Sequence, residues 1–597
     1  MAHDSVPARF FAQSDTRGLT PAVFTREGGA WQALSWADYG ALVRRVGRSL
    51  IALGVLHGQA TCILGFNRLE WVVFALGTMA VGAVPAGIYT TCSPSETQYI
   101  IDHAEAAVIL VENREQYAKV VQERHNLPRL KHIVLMRGAH IEGDPMVLTW
   151  DDFLARGDAT PTHAVDDRTR QIQGDDSACY IYTSGTTGPP KAVMLSHRNC
   201  VWTIETVGKI HEFTPEDCTL SYLPLSHIAE QVFTIHGPAV LGIRVYFAEA
   251  LEKVPDNLKE VQPTLFFGVP RIWEKFHAAV NARLGQVTGG KRRLVDWARG
   301  VASRVHGYHN RGKQPPALLA FQYKLAQKIV LNKLRTALGL GRVKVCSSGA
   351  APIGAEVLEF FTGLDINIRE VYGQSEDNGP TSVNLPGATK YGTVGKPLPG
   401  VDVRLGEDGE ILVRGPNVFK GYYKDQAATD ACLIDGWLHS GDLGAFDGDG
   451  FLLITGRKKE IIITAGGKNI APKNIEAALK NHPLIEEAVV IGDRRHFISA
   501  LLTLDAAAAA KWLADQGKTA AGPLQDDPDV LAEVSRGVDK ANQEFARVEQ
   551  VRKFRVLPRS LALEHGELTP TLKVKRRVVD RNWAELIESM YTGDEAR

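Results

Sequence analysis

The sequence predicts an α/β fold: a large N-terminal region of mostly parallel sheets with helices plus a small β-rich part, then a small α+β C-terminal domain. Three observations carry this expectation. Helical and buried-strand patterns alternate through the first 400 residues, a hairpin rhythm replaces them near residue 400, and 458–597 reads as a unit of its own. Alternation of the first kind places helices over the faces of a parallel sheet. At 597 residues the chain also exceeds one ordinary domain.

Taken in order, 38–53 carries Tyr39, Leu42, Val43, Val46 and Leu50 at helical spacing. The apolar run 71–89 is long enough to raise the question of a membrane span. Gly77, Gly82, Pro85 and Gly87 interrupt it, so a buried helix followed by a strand is expected. Short buried strands are expected at 107–111, 132–136, 244–248, 265–269 and 343–347. The stretch 283–340 breaks the rhythm as a long, basic helical insert in which Pro315-Pro316 separates two helices. Val401, Val403 and Leu405, a turn, then Ile411 and Val413 alternate as a hairpin, and a second hairpin is expected around 446–451. Asp447-Gly-Asp-Gly lacks the further ligands and closing glutamate of a calcium loop, so it reads as a turn. In the last unit, 472–480 starts a helix, 488–491 is a strand and 506–510 continues a helical surface. The domains expected are 1–457, with the insert 283–340, and 458–597.

Composition excludes several classes. Sixty-eight basic residues balance 68 acidic ones, so charge gives no hint of a nucleic-acid partner. The seven cysteines are scattered with no CxxC pair, which fits buried thiols in a reducing compartment better than a disulfide frame or a zinc site. The N-terminus lacks an apolar stretch followed by a cleavage site. A cytosolic protein is expected; nothing speaks to its oligomeric state.

The strongest local signal runs from Tyr180 to Lys191. An apolar strand leads into Thr183, Ser184, Gly185, Thr186, Thr187 and Gly188, then two prolines and Lys191, with a helix start at Ser196. Glycines let backbone amides converge on an anion, hydroxyls add donors and the lysine adds charge. It is not a Walker A loop. Composition alone leaves a flexible surface loop as the alternative. The wording YTSGTTGPPK resembles the signature of the AMP-forming adenylate-forming superfamily, which includes acyl-CoA synthetases, luciferases and the adenylation domains of peptide synthetases. There the loop handles the β- and γ-phosphates of ATP. Ala192 stands where glycine usually follows the lysine.

Further segments match in the family's order, covering roughly 34–580. Ser221 to His227 resembles the motif whose histidine borders the acyl and adenylate pocket; alone, His227 would read as a core residue. Gly349, Ala350 and Ala351 resemble the loop that stacks on adenine, where small residues admit the base. Tyr372, Gly373, Gln374, Ser375 and Glu376 resemble YGxTE, with serine for threonine. The resemblance makes Tyr372 an adenine face, Ser375 a partner of the α-phosphate and Glu376 a Mg2+ ligand, with Thr183 beside it. A hard cation taking few protein oxygens suits that pair. Asp442 matches the ribose-binding position, having two acceptor oxygens for two hydroxyls. Arg457 is implied to contact ribose or phosphate, and Lys459 to be the hinge, while Lys458 reads as a basic turn residue. Gly466, Gly467 and Lys468 resemble the loop lining the thiol's tunnel. Lys573 matches the catalytic lysine, although Lys575 lies two residues away.

The resemblance implies activation of a carboxylate by ATP to acyl-AMP with loss of pyrophosphate, then transfer to coenzyme A after the small domain rotates. The insert resembles that of long-chain fatty-acid ligases of the bubblegum and bacterial types, so a long-chain fatty acid is the expected substrate. A basic amphipathic insert also fits peripheral contact with a membrane, and an ordinary solvated helical pair is the other reading. The alternatives for the whole chain are a ligase loading a carrier-protein pantetheine, a luciferase-like oxygenase and an inert nucleotide-binding homologue. No carrier domain with its serine follows, and Glu376, Asp442 and Lys573 are all present, which speaks against self-loading and inertness.

Overall fold

The computed structural model describes residues 4–183, 189–520 and 522–592. Two large sheets form the N-terminal region. In one, the parallel strands Pro21–Glu27, Arg244–Phe247, Cys218–Ser221, Leu265–Phe267, Val345–Ser348 and Ile368–Tyr372 are flanked by antiparallel edges at Ala30–Ser35 and Ser382–Val383. In the other, Val147–Leu148, His132–Leu135, Val108–Val111, Ala60–Leu64, Val84–Ile88 and Ser177–Thr183 run parallel, and Lys191–Ser196 adds an antiparallel strand. The strand expectations hold to within a residue or two at each end.

The helices Val6–Arg17, Trp36–Ala52, Leu69–Ala80 and His197–His211 lie between the two sheets, where Phe10, Val43, Val46 and Phe74 meet Val245 of one sheet and Ile63 and Val193 of the other. The outer faces are covered separately: Ile100 and Val120 pack on the second sheet, Leu258, Trp273 and Phe361 on the first. Sheets buried on both faces explain the uninterrupted apolar strands. The run 71–89 lies in this buried layer as helix Leu69–Ala80 and strand Val84–Ile88. Among the described residues, no helix is long and apolar enough to cross a membrane.

After residue 400 the hairpins form as expected. Asp402–Leu405 pairs with Glu410–Arg414, and Trp437–Phe446 with Leu452–Arg457. The Asp447 turn is closed by its own carboxylate, which accepts from the amides of Asp449 and Phe451 at 2.9 Å and pairs with Lys390 at 2.6 Å. The helical insert begins later than the basic run that marks it. Arg283 still belongs to helix Pro270–Gly285, and the insert consists of Gly289–His309 and Ala317–Ala326, the latter continuing through a π turn, Gln327–Leu331, into Asn332–Ala337.

The C-terminal part has its own core. Ile485–Ile491, Ile498–Leu504 and Val551–Val556 form a sheet whose alternate residues face opposite ways. Ala488 and Val490 pack under helices Pro472–Lys480 and Pro528–Asn542, while Val489 and Ile491 meet Arg576–Asn582 and Ala584–Tyr591.

Candidate active site

The signature loop lies between two antiparallel strands. Ser177–Thr183 pairs with Lys191–Ser196, and Thr183 stands directly opposite Lys191. Ser184 to Gly188 lie outside the described residues. The helix start expected at Ser196 is present: its hydroxyl caps the Asn199 amide at 3.1 Å, and Asn199 returns the bond at 2.8 Å. A six-residue strand, Lys191–Ser196, separates that helix from the loop, so the helix N-terminus does not adjoin the loop. Lys191 reaches Asp425 at 3.6 Å and lies 4.9 Å over the Tyr422 ring.

Tyr422 connects this region to Glu376, donating its hydroxyl to Oε1 at 2.8 Å. The other carboxylate oxygen of Glu376 and the Thr183 hydroxyl are hard oxygen donors of the kind Mg2+ takes, and few of them, as it prefers. The turn after Tyr372 is tight: a Cβ on Gly373 would fall 1.5 Å from the Gly379 carbonyl oxygen, so only glycine fits. Asp377 is buried beneath it, accepting from the Gln374 amide at 2.7 Å and Thr381 at 2.5 Å. Burial pushes its carboxyl well above the ordinary range.

The geometry at the position expected to bind ribose follows from strand pairing. Asp442 and Arg457 are cross-strand partners, and their side chains meet at 3.1 Å. Tyr372 donates to the second Asp442 oxygen at 2.9 Å, with Gln374 alongside. Burial raises the Asp442 carboxyl, opposed by Arg457, Tyr372 and Lys573. Gly349 is buried at the end of strand Val345–Ser348, whereas Ala350 and Ala351 are exposed, Ala350 with a left-handed φ of 69°.

Lys573 enters this cleft from the C-terminal part. A turn closed by the Thr569 amide on the Lys573 carbonyl at 2.7 Å, with Leu572 at φ 59°, carries it. Asp442, Arg457, Lys473, Glu460 and His227 all lie within its electrostatic reach. Water reaches it along the cleft, but the surrounding protein, with Arg457 and Lys473, lowers its ammonium below the usual lysine value. His227 caps helix Ile228–Gln231, its Nδ1 accepting from the Ala229 amide at 3.1 Å. Burial, then Lys573, lowers its imidazole to about 4, so the ring is neutral at pH 7.

Not every expected residue joins this cluster. Gly466, Gly467 and Lys468 form an exposed turn between Ile462–Ile463 and Asn469–Ile470, held by Thr464, and no hydrogen bond or ion pair joins them to the cleft among the described residues. Lys459 is exposed; its neighbour Lys458 pairs with Asp408 at 2.6 Å and Glu410 at 3.1 Å, so Lys458 is an anchor on the larger region. Sequence reasoning missed Tyr422, Glu460, Lys473 and above all Glu567. Glu567 is buried under the Lys573 turn and accepts both Arg559 nitrogens, at 2.6 and 2.8 Å, and the Trp583 indole at 3.0 Å. No motif marks it, because its partners come from 8 and 16 residues away.

Cys179, Cys200 and His236 form a second, buried group whose donor atoms lie within 4.8 Å of one another. Sulfur and imidazole do not suit Mg2+, so this group is distinct from the oxygen donors at Glu376.

Carboxylate, guanidinium and ammonium groups converging from two folded units describe a nucleotide-handling cleft. Residues 10–423 match the AMP-binding enzyme family model and 459–595 the AMP-binding enzyme C-terminal domain. The chain belongs to the AMP-binding enzyme family. It is 37% identical over 603 residues to the long-chain-fatty-acid–CoA ligase ACSBG2 of Xenopus laevis, covering 96% of this chain and 81% of that one. It is 36% identical over 577 residues to the long-chain-fatty-acid–CoA ligase FadD15 of Mycobacterium tuberculosis, covering 94% and 93%. Its fold matches the anthranilate CoA ligase AuaEII in complex with anthranoyl-AMP, with a TM-score of 0.73 at 20% identity over 99% of both chains.

Proposed function

We propose that this protein activates a long-chain fatty acid with ATP, forming acyl-AMP and pyrophosphate, and then transfers the acyl group to coenzyme A. The observation that carries this reading is that Lys573, from the C-terminal part, lies within electrostatic reach of His227 and of the Asp442–Arg457 pair in the large region. A carboxylate must approach a polyanion, so positive groups have to gather where the two meet. Lys573 and Arg457 supply that charge, and the 183–191 loop binds the leaving phosphates. Asp442 takes the ribose hydroxyls, Tyr372 with the 349–351 backbone holds the adenine, and Ser375 meets the α-phosphate. Mg2+, when bound by Glu376 and Thr183, offsets phosphate charge. Neutral His227 offers a hydrogen bond at the acyl side without adding charge that would hold the carboxylate back.

The second step belongs to the same reading. A unit comprising 458–597 turns about Lys459, withdraws Lys573 and brings the 466–468 loop to the thiol's path. In this structure Lys573, and not that loop, lies within electrostatic reach of Asp442 and Arg457, which accords with the adenylating arrangement. Similarity to two long-chain ligases supports the substrate class.

The test is pyrophosphate release across acids of graded length, followed by product analysis with coenzyme A or a pantetheinylated carrier protein. Release that rises with chain length and thioester formed on coenzyme A are expected. Transfer to the carrier alone, or release confined to aryl acids, sinks the proposal.

A further inference from the structure

The helical insert turns two different faces to its surroundings. On the inner side Ala326, Val330 and Leu331 pack against Ala298, Val301 and Ala302. On the outer side Leu318, Phe321, Leu325 and Ile329 are 71, 66, 41 and 38% exposed. Their spacing places them along one side of a helix. Lys324, Lys328 and Lys333 are exposed beside them, and none makes an ion pair among the described residues. The chain around them is charged in one sense: no Asp or Glu occurs from 297 to 355, against ten Lys and Arg.

A continuous bare apolar stripe on a folded protein marks a contact surface. Large apolar side chains interleaved with lysines match the boundary between headgroups and acyl chains, and the charge selects an anionic surface. A second copy of this chain would bring positive charge against positive charge. The face is also rigidly presented. His306, Tyr323, Gln327 and Arg335 all bond Asp365, at 2.8, 2.5, 3.0 and 3.2 Å, just beyond helix Ala355–Gly363. Docking therefore carries little ordering cost.

We propose that the outer face of helix Ala317–Ala326 and the turn after it, through Leu318, Phe321, Leu325, Ile329 and the flanking lysines, seats this protein on an anionic lipid bilayer. The proposal deepens the long-chain reading, since a bilayer is where such an acid partitions.

Full-length protein is sedimented with vesicles of phosphatidylcholine alone and of phosphatidylcholine mixed with phosphatidylglycerol, without acid or nucleotide. Binding to the mixed vesicles is expected. Replacing Lys324, Lys328 and Lys333 with alanine lowers the partition about 100-fold, at roughly fivefold per charge. The combined variant Leu318→Ser, Phe321→Ser, Leu325→Ser lowers it at least about tenfold. All these side chains are exposed, and circular dichroism checks that the variants fold. Equal binding to both vesicle types, or a serine variant that binds like the parent, overturns the proposal. So does a parent dimer, seen by light scattering, that the serine variant dissociates, because the stripe then joins copies of the chain. Failure here leaves pyrophosphate release untouched, and failure of release with long acids leaves vesicle binding standing.

Discussion

Lys573 acquires its role from a turn. The left-handed Leu572 and the Thr569–Lys573 bond aim it, and buried Glu567, accepting from Arg559, Asn582 and Trp583, fixes the base of that turn. Lys573→Ala is expected to lower acyl-AMP formation about 10²- to 10³-fold, while transfer from supplied acyl-AMP to coenzyme A stays measurable. Assaying the half-reactions separately decides this; equal losses in both count against the assignment. The motif made Lys573 legible, but its choice over Lys575 rested on alignment. The structure supplies a physical reason: Lys573 lies within electrostatic reach of Asp442 and Arg457, whereas the Lys575 amide bonds Glu567 and its backbone leads into helix Arg576–Asn582.

At the scale of elements, pairing and capping explain the sites. Asp442 and Arg457 are far apart in wording but opposite in register, so the hairpin brings the two proposed ribose-binding residues together as it forms. Proline fixes φ and narrows the conformations open to residue 459. Lys459→Pro is therefore expected to leave pyrophosphate exchange within about threefold and slow thioester formation tenfold or more. Unchanged thioester formation would exclude a hinge at this residue. The small unit also carries an acid sensitivity. Burial alone would raise Glu476, but Arg576, Lys473 and the Val490 amide outweigh it and hold it at about 2. Burial likewise opposes Arg559 and Asn582 at Glu567, which is also held at about 2. Carboxyls depressed in the folded state stabilise it above their unfolded value of 4.5, and that stability is lost as pH falls toward 2. Pepsin digestion of the full chain should accordingly cut within 462–591 faster at pH 2.5 than at pH 4. Glu476→Gln should raise cutting at pH 4 and flatten the difference, and a cutting pattern insensitive to this change counts against the linkage.

For the molecule as a whole, few bonds among the described residues cross between the two units besides the Lys458 pairs with Asp408 and Glu410. Thr91 donates to the Pro570 carbonyl at 2.5 Å, and Lys540 pairs with Glu356 at 3.2 Å. A junction held by few bonds among the described residues suits the proposed rotation of the small unit. Thr91→Ala removes a hydrogen bond of about 0.5–1.5 kcal/mol from one arrangement only. Acyl-AMP formation is expected to fall roughly two- to tenfold, with transfer from supplied acyl-AMP unaffected. Equal slowing of both steps would mean that the bond does not favour the adenylating arrangement.

By itself the sequence determined the α/β class, the change of rhythm near residue 400, the buried run 71–89 and the residues of the nucleotide motifs. These are local matters of apolar periodicity, turn chemistry and contiguous wording. Tertiary structure decided what depends on contacts between distant residues. It set the antiparallel hairpin that encloses the 183–191 loop, Tyr422 on Glu376, Glu567 beneath Lys573 and Asp365 beneath the insert. It also decided which face of 317–331 stays bare. An i, i+3, i+7 apolar pattern looks the same whether it meets a core or water, and only the packing of Ala326, Val330 and Leu331 inward leaves Phe321 outside.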